Sequence, residues 1–318
     1  MAAAAVVLAA CAGDPAGESP SVASGPEISG GLPVLETAKV VSLATKPVPG
    51  DFSITLRFIN QPTDIQATRF NDAKAKWESI ISGDVPSVTG RFPARSCGNS
   101  FKTPGFSGTI DDVLIDVLLQ PIDGPGAVLG AAGPCLVRTE DNLTAYGIMY
   151  FDTADLDFLE SLGFFDEVVV HEMGHVLGFG VLWNFNRSLL TGVGTADPRF
   201  TGPLAIAAYD KLGGSGTVPV EGDEGGAGTV NSHWDEATFF NELMTGFLNG
   251  SADANPLSDL SVAAMADLGY VVNLGSGDRY QLPKSGGPNL ALQGLAGSRH
   301  GLDLAHGEVL VRPTMVVK

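Results

Sequence analysis

The sequence predicts an α+β fold, in which a sheet and helices share one domain, and three stretches carry this prediction. Residues 52–59 alternate apolar and polar side chains, which is typical of a strand with one buried face. Residues 66–81 have apolar side chains at helical spacing, and residues 165–179 set two histidines four positions apart on a predicted helix. A chain of 318 residues with 44% hydrophobic content is long enough for one large domain or for two lobes around a shared cleft.

The other elements follow from local composition. Asp64 is the predicted cap of the helix over residues 66–81. In residues 165–179 the three consecutive valines alone would favour a strand, but the histidine spacing favours a helix. Further predicted elements are strands over 112–119 and 145–151, a short apolar stretch over 127–132, and helices over 204–212 and 260–268. Residues 187–230 are rich in glycine and are predicted to be mostly loop, and the residues after 275 carry only weak strand signals.

A strong excess of acidic residues narrows the set of partners. The formal net charge is −18, with 36 Asp and Glu against 18 Lys and Arg. Because few cations are available to neutralise phosphates, neither nucleic acid nor an anionic membrane surface is an expected partner. We interpret the acidity as an aid to solubility outside the cell rather than as a device that steers basic substrates.

The N-terminus predicts export. Residues 1–10 are almost wholly Ala, Val and Leu, a run that is too short to span a bilayer and is typical of a signal peptide. Leu8-Ala-Ala-Cys11 resembles a bacterial lipobox, which would make residues 1–11 a signal and Cys11 the lipidated residue. An ordinary signal peptide with an incidental cysteine is the alternative. Residues 12–48 are rich in Gly, Pro, Ser and Ala and are predicted to be a flexible linker. We therefore expect a bacterial envelope lipoprotein or a secreted protein, with a lipid anchor as its one membrane contact.

Two groups of residues are interpreted as structural. Cys97 and Cys135 are predicted to form a disulfide, because an exported chain meets an oxidising compartment. Asp152, Asp155 and Asp157 lack the spacing and the glycine of an EF-hand loop. We therefore do not expect calcium and interpret this stretch as a solvated acidic turn.

The pattern His171-Glu-Met-Gly-His175 points to metal chemistry. On a helix, positions i and i+4 lie on one face, so both imidazoles can bind a single ion. Glu172 lies about 100° around the helix from His171, so its carboxylate can contact a water on the ion without replacing it. A catalytic zinc site has three protein ligands and one open position, and it lowers the pKa of its water to about 7. Glu172 would act as general base and then as general acid.

The third ligand must come from another part of the chain. His233, within Asn-Ser-His-Trp-Asp-Glu, is the only remaining histidine before the tail. A carboxylate is the alternative third ligand, and Glu236 or Glu242 could supply it. His300 and His306 lie in a glycine-rich region without another ligand nearby and are interpreted as surface residues.

These motifs resemble the leishmanolysin family of zinc metallopeptidases, in particular its bacterial members. His-Glu-Met-Gly-His-Val-Leu-Gly at residues 171–178 is similar to the metzincin pattern up to its glycine. The third histidine does not follow at once but appears at His233, ahead of Asn-Glu-Leu-Met-Thr-Gly at residues 241–246. By this resemblance Gly178 is the turn that ends the active-site helix, and Met244 is the Met-turn residue beneath the zinc.

The resemblance also implies an architecture. A metzincin-like zincin has a twisted mixed sheet and the active-site helix in an upper lobe, an irregular lower lobe, and zinc in the cleft between them. The catalytic domain would span residues 49–275, with its upper lobe over 49–180 and its lower lobe over 181–275. Residues 276–318 form a tail of unknown role. Large members of the family are held latent by a propeptide cysteine, and latency of that kind is not expected here.

The family implies protein or peptide substrates, which add as an extra strand to a sheet edge above the zinc. The order of elements places this edge at Val128, Leu129, Gly130 and Ala131, and a plain turn is the alternative. We therefore predict a monomeric zinc endopeptidase with one catalytic ion. Two alternatives stay open: a surface-tethered binding or adhesion protein with structural zinc, and a zinc hydrolase that acts on a non-peptide amide.

Overall fold

A mixed sheet and the helices packed on it form the framework of the protein. The computed structural model describes residues 52–126, 128–185, 187–223, 226, 228–248, 255–283, 302–304 and 307–317. The strands are β1 (Ile54–Phe58), β2 (Val88–Phe92), β3 (Phe106–Ile110), β4 (Val113–Gln120), β5 (Gly130–Arg138), β6 (Thr144–Asp152), β7 (Leu190–Thr191), β8 (Arg199–Phe200), β9 (Val218–Pro219), β10 (Phe247–Leu248), β11 (Leu302–Asp303), β12 (Glu308–Leu310) and β13 (Met315–Val317). The helices are α1 (Asp64–Ile80), α2 (Thr153–Leu162), α3 (Phe165–Leu177), α4 (Pro203–Lys211), α5 (Glu236–Phe239) and α6 (Asp259–Leu268).

The main sheet has the strand order β1-β4-β6-β5-β12, and β13 also pairs with β5. β1, β4 and β6 run parallel to one another, and β5 is antiparallel to β6. β12 and β13 run parallel to β5, opposite residues 130–132 and 136–138 respectively. A mixed sheet that is combined with helices confirms the predicted α+β fold.

The two faces of the sheet bury different clusters of apolar side chains. Along a strand, successive side chains point to opposite faces. In β4, Val113, Ile115 and Val117 belong to the larger cluster, whereas Leu114 and Leu118 belong to a smaller one. The larger cluster also contains apolar side chains of α1, α3 and α6, so it is the core between the sheet and the helices.

Helix α1 fixes the position of α3. Phe70 and Trp77 of α1 are buried, and the indole N–H of Trp77 donates a hydrogen bond of 2.9 Å to the carbonyl oxygen of Val170 in α3. The ring of Phe70 packs edge-on against Phe165, with 6.0 Å between the ring centroids. Burying one such side chain contributes about 1.5–3 kcal/mol. These contacts hold α3 on its face of the sheet independently of any ligand.

Most of the predicted elements are confirmed. The predicted strands over 52–59, 112–119 and 145–151 are β1, β4 and β6, and the predicted helices over 66–81, 165–179, 204–212 and 260–268 are α1, α3, α4 and α6. The apolar stretch over 127–132 includes the start of a longer strand, β5. The tail beyond residue 275, with its weak strand signals, adds β12 and β13 to the main sheet. The hairpin of β2 and β3 was not predicted.

Two local predictions are wrong. Thr63, and not Asp64, caps α1, because the Thr63 hydroxyl accepts from the Gln66 N–H and the Gln66 side chain accepts from the Thr63 N–H. This reciprocal pair is a capping box. The acidic stretch is not a solvated turn, since Asp152 is buried and caps α2, and the buried Asp155 accepts a backbone hydrogen bond.

Some predictions concern residues outside the described ranges. These are the signal peptide over 1–11 with Cys11, the linker over 12–48, and the surface positions of His300 and His306. Among the helices that the structure describes, none combines the length and the hydropathy needed to cross a bilayer.

A disulfide between Cys97 and Cys135 ties the segment between β2 and β3 to β5. The two sulfur atoms are 1.98 Å apart, and both cysteines are buried. The carbonyl oxygen of Cys135 also accepts a hydrogen bond of 3.0 Å from the Thr314 N–H. The bridge therefore joins the β2–β3 region to the strand that pairs with the C-terminal residues.

Replacing both cysteines with alanine is expected to lower the free energy of unfolding by about 2–4 kcal/mol, because the open chain gains conformational entropy when it unfolds. The bridged residues are 38 positions apart. Urea unfolding followed by tryptophan fluorescence measures the change. Reduced wild type is the matched control, since it loses the cross-link and keeps both sulfur atoms. Equal midpoints for oxidised and reduced wild type would contradict the prediction.

Candidate metal centre

Helix α3 carries two of the candidate ligands, His171 and His175, on one face. Gly178 ends the helix in the left-handed conformation, with a φ of 114°. The Phe179 N–H donates to the Gly174 carbonyl at 3.0 Å, and the Gly178 N–H donates to the His175 carbonyl at 3.1 Å. These two bonds form a Schellman motif, which glycine favours because it has no Cβ. The chain therefore turns sharply just beyond the second histidine.

His233 reaches the same point from a loop on the other side. The carbonyl oxygen of His233 accepts a hydrogen bond of 2.9 Å from the Glu221 N–H. The backbone N–H of the next residue, Trp234, donates a hydrogen bond of 3.0 Å to the carbonyl oxygen of Met244. The Trp234 ring packs against the ring of Phe179, with centroids 5.2 Å apart. This contact therefore links the loop that carries His233 to the end of the helix that carries His171 and His175.

The Nε2 atoms of the three histidines converge. His171 and His175 bring these atoms to 2.9 Å from each other, and Nε2 of His233 is 3.1 Å and 3.0 Å from the two of them. All three side chains are fully buried. A Zn–N bond of about 2.0–2.1 Å is long enough for one ion to contact all three atoms.

Hydrogen bonds at the opposite ring atoms determine which nitrogen carries the hydrogen. The Nδ1 atom of His171 lies 2.7 Å from the Leu243 carbonyl oxygen. The Nδ1 atoms of His175 and His233 lie 3.0 Å and 3.2 Å from the carbonyl oxygens of Phe179 and Thr229 respectively. Because a carbonyl oxygen only accepts, each Nδ1 donates, and each neutral ring presents a lone pair at Nε2.

Three facing lone pairs repel one another unless a cation lies among them. Protonation of His175 is disfavoured, because burial lowers its pKa to about 3. Neutral imidazoles whose Nδ1 atoms are held by backbone carbonyls are the usual form of histidine metal ligands. The donor set of three imidazoles is one that suits zinc.

Glu308 of β12 completes the cluster. Its carboxylate oxygens lie 3.1 Å from Nε2 of His175 and 3.1 Å from Nε2 of His233, and one of them lies 3.7 Å from Nε2 of His171. The side chain is buried, and no described residue donates a hydrogen bond to either oxygen.

Sequence reasoning missed Glu308. The signal available was the apolar run over residues 309–311, which predicts a short strand but not its partner. Strand pairing with β5 is what carries this carboxylate into the cluster.

Glu172 is the second buried carboxylate of the site. Its Oε2 atom has no hydrogen-bond partner in the part of the chain that the structure describes. Burial, and then the negative charge of Glu308, raise the pKa of Glu172 well above its ordinary value. A carboxylate in such surroundings binds a proton more readily than an exposed one, which suits a general base.

The predicted Met-turn residue lies against α3. A Cβ atom on Gly174 would lie 3.1 Å from Cε of Met244 and 3.0 Å from the Trp77 ring, so the glycine leaves room for both side chains. Leu243, the preceding residue, supplies the carbonyl oxygen that holds His171. Residues 243 and 244 therefore contact one ligand and the helix that carries two of them.

The carboxylates considered as alternative third ligands lie elsewhere. The ligand atoms of His171, His175, His233 and Glu308 lie within 4.8 Å of one another, and neither Glu236 nor Glu242 belongs to this group. Glu242 is buried and accepts hydrogen bonds from the Met244 N–H at 2.6 Å and from the hydroxyls of Ser258 and Ser261 at 2.7 and 2.6 Å. Glu236 begins helix α5. Glu242 thus orders the turn at residues 242–244.

The predicted substrate edge, Val128 to Ala131, lies beside the C-terminal residues. The Leu129 N–H donates to the Gly307 carbonyl oxygen at 2.7 Å. Gly130 and Ala131 are register partners of Glu308 and Val309. The edge next to the histidine cluster therefore already pairs with a strand of the same chain.

A Gly180→Ala substitution is expected to weaken zinc binding about 10- to 100-fold, as changes around metal ligands do. A Cβ on Gly180 would overlap the carbonyl oxygen of Ser232, which directly precedes His233. Competition with a chromophoric chelator measures the affinity. Gly194→Ala is the matched control, because Gly194 has a similar φ of 79° and open space around it. Equal zinc affinity in both variants would show that Gly180 does not position His233.

Comparison with known proteins agrees with the geometry. The model of a peptidase family described as leishmanolysin matches residues 59–279. Leishmanolysin of Leishmania donovani is 30% identical over 192 residues, which are 55% of this chain and 30% of that protein. A leishmanolysin homolog of Crithidia fasciculata is 33% identical over 192 residues, which are 55% of this chain and 27% of that protein. The chain thus matches less than a third of the length of either curated relative. The family match includes the three histidines and ends before Glu308, and this chain belongs to the leishmanolysin family.

Proposed function

We propose that the chain is a zinc-dependent endopeptidase with His171, His175 and His233 as zinc ligands and Glu172 as general base. One observation carries the proposal: three buried imidazoles bring their Nε2 atoms within 3.1 Å of one another, while each Nδ1 atom lies next to a backbone carbonyl oxygen. A cation among the three rings stabilises this arrangement, and the buried carboxylate of Glu172 directly follows the first proposed ligand in the sequence. Membership of the leishmanolysin family supports the same activity.

The residues of this site have separate tasks in peptide hydrolysis. Zinc at the three imidazoles would polarise the scissile carbonyl and lower the pKa of water to about 7. Glu172 takes the proton from the attacking water and delivers it to the leaving amine. Met244 and Leu243 keep the ligand-bearing helix in place. Burial raises the pKa of Glu172, so its carboxylate binds a proton more readily than an exposed one.

The substrates proposed are proteins or peptides that add as a strand to β5. An extended peptide pairs with a sheet edge through main-chain hydrogen bonds, and side-chain pockets add specificity. The small residues Gly130 and Ala131 allow close approach of another backbone. The architecture proposed is that of a metzincin, with β1, β4, β6, β5 and α3 in the upper lobe.

Export of the protein is proposed on two grounds. The apolar run over residues 1–10 is typical of a signal peptide. The disulfide between Cys97 and Cys135 suits an oxidising compartment. Lipidation of Cys11 would then hold a monomeric enzyme on the bacterial envelope.

A second candidate function is a binding protein with structural zinc. Glu308 favours it, because structural zinc sites have four protein ligands. Glu172 argues against it, since a purely structural site has no need of a buried base next to the ligands.

A Glu172→Ala substitution is expected to keep about one zinc per chain and to lower casein cleavage about 100-fold or more, because proton transfer is lost. His233→Ala is expected to lose zinc and cleavage together. Zinc content is measured by atomic absorption and cleavage by release of soluble peptides. Glu140→Ala, which removes an exposed carboxylate, is the control and should behave as wild type. Full cleavage by Glu172→Ala would contradict the assignment of the base.

A further inference from the structure

The C-terminal residues cover the sheet edge beside the histidine cluster. β12 pairs with residues 130–132 of β5, and β13 pairs with residues 136–138. The Val311 N–H donates to the Ala132 carbonyl oxygen at 2.7 Å, and the Leu129 N–H donates to the Gly307 carbonyl at 2.7 Å. These main-chain bonds are the kind that an added peptide would form with the same edge. A substrate strand and β12 therefore compete for one place.

The fit of this segment to β5 is close. A Cβ on Gly133 would overlap the carbonyl oxygen of Val311, so the edge has a glycine where the segment approaches it. Leu304, Val311 and Val317 are buried. Buried apolar side chains and a regular register indicate a docked strand rather than a loose contact at the surface.

Glu308 adds a contact that strand pairing alone does not require. Its buried oxygens face the Nε2 atoms of the three histidines, and no described residue donates a hydrogen bond to them. Three nitrogen lone pairs and a carboxylate turned towards one another form a ligand set for one cation. A buried carboxylate without a donor is costly unless a cation compensates it.

We propose that residues 307–317 are an autoinhibitory segment, in which β12 occupies the substrate strand's place on β5 and Glu308 is the fourth ligand of the zinc. The inference rests on the proposed peptidase function and adds its regulation. With the segment docked, the coordination position that a catalytic site keeps open is taken, and so is the edge that binds substrate. Cleavage then requires release of the segment. Nothing in the leishmanolysin match supplies this device, because the match ends at residue 279.

The first test compares wild type, Glu308→Ala and the exposed-residue control Glu140→Ala as full-length chains. Removing Glu308 is expected to raise casein cleavage about tenfold or more, because the open state becomes populated. It is also expected to weaken zinc binding about 10-fold or more in chelator competition, because one ligand is lost. Glu140→Ala should match wild type in both measurements.

The second measurement reports the docked segment without any turnover. Hydrogen exchange of the Leu129 and Val311 amides is followed in zinc-free and zinc-loaded protein. If Glu308 binds the ion, zinc slows exchange of both amides in wild type and leaves it unchanged in Glu308→Ala. Val311→Pro is the second variant, since it keeps Glu308 but removes the hydrogen bond to Ala132. It should also raise cleavage.

The outcomes separate the inference from the function on which it rests. The inference would be overturned if wild type and Glu308→Ala showed equal cleavage, equal zinc affinity and amide exchange that does not depend on zinc. In that case, casein cleavage by wild type would still support the peptidase function. Zinc-dependent exchange without cleavage by wild type, Glu308→Ala or Val311→Pro would overturn both and favour the structural-zinc candidate. Increased cleavage by Glu308→Ala that disappears when Glu172→Ala is added would support both.

Discussion

Hydrogen bonds from three imidazole N–H groups to backbone carbonyls are the interactions on which the candidate metal centre depends. Each one fixes both the orientation and the tautomer of a ring, so that the Nε2 lone pair points to the common centre. The accepting carbonyls belong to Phe179 at the helix end, Thr229 in a loop and Leu243 beside Met244. The ligand geometry is therefore set by the backbone of three separate segments, and any change that shifts one segment shifts a ligand.

Those three segments are held by packing at short range. The Phe179 ring packs on the indole of Trp234, the residue after His233. Trp183 lies against the same indole, with 5.1 Å between the ring centroids. Gly174 leaves room for the Met244 side chain, and Gly180 allows the backbone of Ser232 to approach closely. Aromatic contacts hold the segments together, and glycines allow the distance to be small enough for one ion.

The placement of His171 and His175 on one face of α3 could be predicted because their spacing is local. Two histidines at i and i+4 with a glycine after the helix are visible within eight residues, and family resemblance adds His233. The cap at Thr63 also has a local signal, the Thr-x-x-Gln capping box, which identifies Thr63 rather than the predicted Asp64.

The position of Glu308 could not be predicted in the same way. β12 has three residues and no useful periodicity, and its neighbour on β5 is more than 170 positions away in the chain. Register between such distant strands depends on the whole sheet, since each strand presents only a main-chain pattern that many segments can match. For α2, a buried N-cap at Asp152 explains the acidic stretch, but burial of that carboxylate also depends on the neighbouring segment that donates to it.

Charge gives the autoinhibitory segment an electrostatic effect in addition to its steric one. A divalent ion held by three neutral imidazoles has an excess of positive charge, and Glu172 compensates part of it when ionised. Docked Glu308 compensates most of the remainder in a buried site, where such interactions are strong. Peptide hydrolysis develops negative charge on the carbonyl oxygen, and preorganised positive charge is what stabilises it. In the proposed enzyme, release of Glu308 therefore opens the substrate edge and restores the positive potential that the transition state requires.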